Sequence, residues 1–141
     1  MREILFRGKR MCNNKWMFGS LLCYLDGDRY ICCDNYNGGH NHYKIDPETT
    51  GQFTGLLDKN GLEIYEGDIL EYTSHTDTGI KEINRAVVFW DEHRWSYEII
   101  YSNRWTENWN NKGRKCDIYK EIVAKYGEVI GNIHDNPELL V

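Results

Sequence analysis

Nowhere in this 141-residue sequence do apolar residues run on for the ~18 positions that a membrane-spanning helix needs. Its opening, Met1-Arg2-Glu3-Ile4-Leu5-Phe6-Arg7, interleaves charge with apolar side chains and lacks the apolar core of a secretory signal. Serine is scarce: Ser20, Ser74, Ser96 and Ser102 are all outside any nucleophile-elbow pattern, and no glycine-rich phosphate loop precedes a helical segment. The five cysteines, Cys12, Cys23, Cys32, Cys33 and Cys116, are an odd number at irregular spacing, which reads as reduced thiols and not as a disulfide framework. These absences lead to the expectation of a cytoplasmic protein with no membrane association.

A chain that is 40% hydrophobic, 28% charged and 13% aromatic is neither disordered nor fibrous. A chain of this size buries about 68% of its unfolded surface, so it folds without help from disulfides or metal. The net charge of −5 argues against a surface that grips duplex nucleic acid all round. Residues 1–45, however, hold seven Lys or Arg against four Asp or Glu, so a locally basic N-terminal face remains.

Alternation in steps of two dominates the N-terminal third. Ile4 and Phe6 share one face, and Trp16, Phe18, Ser20 and Leu22 run opposite Met17, Gly19, Leu21 and Cys23. Asp26-Gly27-Asp28-Arg29 supplies a turn and Tyr30-Ile31-Cys32-Cys33 the return strand. Residues 34–42 read as a polar loop, Tyr43-Lys44-Ile45 as extended chain, and Pro47 as a seam. After it, residues 52–57 and 62–64 flank Asp58-Lys59-Asn60-Gly61, a strong hairpin signal. Tyr65-Glu66-Gly67-Asp68 turns the chain into a strand at 69–72, and residues 73–79 read as a loop. Residues 85–90 and 95–101 form an aromatic-rich hairpin across Asp91-Glu92-His93-Arg94. Residues 102–115 read as a long loop. Ile118, Ile122, Val123 and Tyr126 suggest a short amphipathic helix ended by Gly127, before a last strand at 129–133.

The fold class expected is mostly β: a small SH3-like β-barrel over 47–141, an N-terminal β-hairpin subdomain over 1–46 that shares its core, and at most one short helix.

Three segments together resemble the YopX-like family of small proteins, encoded mainly by bacteriophages, prophages and other mobile elements. The first is Phe6-Arg7-Gly8-Lys9 with Trp16 and Gly19-Ser20-Leu21. The second runs from Glu48 through Gly51-Gln52-Phe53-Thr54-Gly55-Leu56-Leu57-Asp58-Lys59-Asn60-Gly61 to Tyr65-Glu66-Gly67-Asp68-Ile69. The third is Val129-Ile130-Gly131-Asn132-Ile133-His134-Asp135-Asn136-Pro137-Glu138-Leu139-Leu140. The resemblance implies a mostly β fold with an SH3-like barrel and no assigned activity. Gly55, Gly61, Gly67 and Gly131 suit tight corners or close backbone approach, and Asp68 can bond backbone where a strand begins.

Cys32, Cys33, His40 and His42 offer four candidate metal ligands within eleven positions, but adjacent strand residues point to opposite faces and the usual two-residue spacer is missing. No metal and no cofactor are therefore expected. Asp91-Glu92-His93 lies at a hairpin tip, where charge is the default. Cys12 and Cys116 lack an orienting pair. No catalytic constellation is present, and the chain reads as a non-enzyme. Trp105 and Trp109 stand four apart among polar neighbours; with Arg104 they are the candidate anchors for a protein partner of host or phage. Arg7, Lys9 and Arg10, with Trp16 and Phe18 nearby, are the alternative, a face that grips a phosphate backbone while an aromatic stacks on a base. Strand alternation places Arg7 and Lys9 together on the solvent side, and exposed strand edges add self-association as a further alternative.

Overall fold

The structure, a computed structural model, describes residues 3–75, 77–103, 112–118 and 123–140. Two compact units divide the chain, Met1–Gly55 and Leu56–Val141. Antiparallel strands dominate both, as the alternation predicts.

In the first unit β1 (Phe6–Lys9), β2 (Trp16–Cys23), β3 (Arg29–Asp34), β4 (His40–Ile45) and β5 (Gly51–Leu57) pair in the order β4-β3-β2-β1-β5. One face is tightly packed around Ile31 and Ile45, both fully buried. Two glycines make that packing possible. A Cβ at Gly8 would overlap the Ile45 side chain, and one at Gly19 would overlap the carbonyl of Cys32. An isolated bridge joins Arg10 to Ile45, where the Met11 N–H donates to the Lys44 carbonyl (3.0 Å) and the Asp46 N–H to the Lys9 carbonyl (2.8 Å). The edge strand β4 is thus drawn onto the end of β1, curling the sheet at one point. His40, Asn41 and His42, expected in a loop, belong to β4. All three are exposed, and an edge strand with so little burial carries no apolar alternation to be read.

The chain passes into the second unit within β5, where Gly55 has φ 86°. β6 (Glu63–Tyr65) follows the Asp58 hairpin. β7 (Asp68–His75), β8 (Lys81–Asp91), β9 (Arg94–Ser102), β10 (Lys115–Asp117) and β11 (Glu128–Asn132) then build a sheet in the order β10-β9-β8-β7-β11. Its inner face carries Leu70, Ala86, Val88, Trp95, Tyr97 and Ile99, packed with Ile64, Cys116 and Ile118. Burial of each larger apolar side chain contributes roughly 1.5–3 kcal/mol. The register places Leu70 opposite Ala86, Ala86 opposite Ile99, and Val88 opposite Tyr97, which is why these positions share one face.

Several expectations are corrected here. The small barrel is not closed among the described residues, because β10 and β11 remain the two edges of the second sheet. The loop expected at 73–79 begins later, since Thr73, Ser74 and His75 pair with Ile83, Glu82 and Lys81. Lys115, expected at the end of the loop, instead begins β10, whose Lys115, Cys116 and Asp117 pair with β9. Ile118 is buried directly after β10, its N–H donating to the Trp95 carbonyl at 3.2 Å, so it serves the sheet and not a helix face. The described helix is a single turn, α1 (Val123–Tyr126), while residues 119–122 lie outside the described set. No described helix is long and apolar enough to cross a membrane.

Candidate functional site

The N-terminal basic residues come together with aromatic rings. Lys9 and Trp16 are register partners in β1 and β2. The Arg7 guanidinium lies 4.6 Å from the centre of the Trp16 ring and the Lys9 ammonium 5.6 Å from it, while the Arg10 guanidinium stands 4.6 Å over Tyr43. Such stacking holds a cation over the negative face of the ring, worth roughly 0.5–1 kcal/mol at exposed sites. The expectation that Arg7 faces solvent is corrected: it is only 7% exposed. Alternation assigns Arg7 to the same face as Lys9, but the stack on Trp16 covers it. Lys9 and Arg10 are half-buried and Phe18, the partner of Arg7, is exposed. The candidate protein-binding residues Arg104, Trp105 and Trp109 lie outside the described residues.

Cys32 stands opposite His42 on one face of the first sheet, and Cys33 opposite Asn41 on the other. The Cys33 thiol donates to the Phe18 carbonyl at 3.0 Å. Burial pushes that thiol up from its ordinary pKa, the neighbouring Cys32 adds to this, and the bond to Phe18 only partly offsets it. His40 Nδ1 and Asp34 Oδ1 share a 2.8 Å hydrogen bond. No three His, Cys, Asp or Glu side chains gather to hold a metal among the described residues. Glu92 and His93 occupy the tip between β8 and β9, both exposed.

In the second and third motif segments, Asp58, Asp68, Asn132 and Asn136 serve the backbone. Asp58 Oδ1 accepts the N–H groups of Asn60 (2.8 Å) and Leu62 (2.9 Å), and its Oδ2 accepts that of Val129 (3.0 Å). Asp68 Oδ2 accepts the N–H of Tyr65 at 2.8 Å, closing the turn around Gly67. Asn132 Oδ1 accepts from His134 (3.0 Å) and Asp135 (2.9 Å), and its Nδ2 donates to the Asp135 carboxylate (3.0 Å). Asn136 Oδ1 in turn accepts the Asn132 N–H at 3.2 Å. Gly131 is obligatory here, since a Cβ would overlap the Asn136 side chain.

A cleft of about 520 Å³ opens on the second unit, lined by Lys59, Glu71, Thr73, His75, Tyr126 and Glu128. The register sets Glu128 directly opposite Glu71, Glu71 opposite Arg85, and Arg85 opposite Tyr101, so the four form one row across β11, β7, β8 and β9. Arg85 Nε donates to Glu71 Oε2 at 2.9 Å and Lys59 Nζ to Glu128 Oε2 at 3.1 Å. Sequence reasoning missed this cleft. Its residues come from three distant segments, and Thr73 and His75 are in the stretch read as a loop.

The model of the family described as YopX protein matches residues 5–141. A crystal structure of protein EF1440 from Enterococcus faecalis is similar with a TM-score of 0.54 and 21% sequence identity, over 100% of this chain and 100% of that one. At that identity the likeness bears on the fold alone. No curated protein matches the chain.

Proposed function

The chain belongs to the YopX family, and from that premise we propose that it is a phage or prophage accessory protein that works in the host cytoplasm by binding a protein partner and not by catalysis. The observation that carries this reading is the employment of the motif residues. Asp58, Asp68 and Asn132 direct their oxygens at backbone N–H groups of their own chain, which gives these three motif residues a folding role. The phage setting rests on the resemblance of the three segments to a family encoded mainly by mobile elements. The bulges at Arg85/Ala86 and Val129/Gly131, which bend strands, support reading the second sheet as an opened SH3-like barrel.

The partner-binding residues proposed are Arg104, Trp105 and Trp109, on the strength of their sequence pattern, because exposed tryptophan and arginine concentrate binding energy. A second reading has its own observation. Lys9 and Arg10, held over Trp16 and Tyr43, form a basic–aromatic pair suited to single-stranded nucleic acid. Capture of tagged protein from prophage-bearing cells, with and without nuclease, separates the two. Retention of a specific protein after nuclease supports the first reading, and loss of all retained material with nuclease replaces it by the second.

A further inference from the structure

We draw no further inference here: the strongest candidate, the face of the first sheet on which the register places Trp16, Phe18, Tyr30 and Lys44, continues the basic–aromatic site already described, its Lys44 is ion-paired to Asp28 at 2.9 Å, and nothing in the structure shows what covers it.

Discussion

The carboxylate of Asp58 accepts the backbone N–H of Val129, 71 residues further along the chain, at 3.0 Å. Its other oxygen meanwhile closes the turn through Asn60 and Leu62. The adjacent Lys59 N–H donates to the Gly127 carbonyl at 3.0 Å. One hairpin tip therefore fixes both its own turn and the outer side of β11, an edge strand whose N–H would otherwise lack a partner. This relationship links the second and third motif segments and gives a physical reason for their joint presence.

Replacement of Asp58 by Ala strands three backbone N–H groups, one of them against β11. An unsatisfied buried donor costs about 1–3 kcal/mol, so Asp58→Ala should lower the unfolding free energy by at least that much in urea. Asp58→Asn should fall between, because its amide NH₂ in place of Oδ2 would face the Val129 donor.

The pH dependence follows from the same site. Burial pushes the Asp58 pKa up, but the hydrogen bonds from Val129, Leu62 and Asn60, helped by Lys59, outweigh it and hold the carboxyl below its ordinary value. A carboxyl depressed in the folded state contributes stability that is present above its unfolded pKa, about 3.9, and lost as pH falls through the folded value. The stability gap between the native chain and Asp58→Asn, measured by urea unfolding from pH 7 down to pH 3, should accordingly be constant near neutrality and shrink below about pH 4.

At Gly131 a methyl group has no room beside Asn136. Gly131→Ala should destabilise by about 1–3 kcal/mol through overpacking. Combining it with Asn136→Ala removes the two closest atoms, Oδ1 and Cγ, and leaves only the Cβ at 3.1 Å, so the double variant should lose less than the sum of the two single changes. Thermal melts of the three variants check this.

Arg7 and its neighbours separate structure from binding. Arg7→Ala removes a buried side chain stacked on Trp16 and should lower stability by about 1 kcal/mol or more. Lys9→Ala and Arg10→Ala, at half-buried positions, should each stay within about 1 kcal/mol. If nucleic acid is the ligand, the latter two should also flatten the salt dependence of binding to a single-stranded oligonucleotide.

Local signals in the sequence were read correctly where chemistry is local. Asn60-Gly61 announces the hairpin, and the run from Arg85 to Tyr101 announces β8 and β9, because turn residues and alternation act over a few positions. The 71-residue link from Asp58 to Val129 is invisible to such reasoning, since no spacing rule joins a turn aspartate to a distant N–H. Alternation gave the face on which Arg7 stands and could not say that Trp16 covers it. Barrel closure also escaped it: strand count and glycine spacing are compatible with a sheet whose edges, β10 and β11, stay apart. The opposed pair Glu71 and Glu128 became visible only with the register.

The measurement that bears most directly on a protein-binding role is a paired comparison of the native chain with the double variant Trp105→Ala, Trp109→Ala. Melting temperature and nuclease-resistant partner capture would be read on the same preparations. The account predicts a nearly unchanged melting temperature and loss of the captured protein. A large fall in melting temperature would place the two tryptophans in the core and contradict their role as anchors. Undiminished capture by the folded variant would contradict it equally.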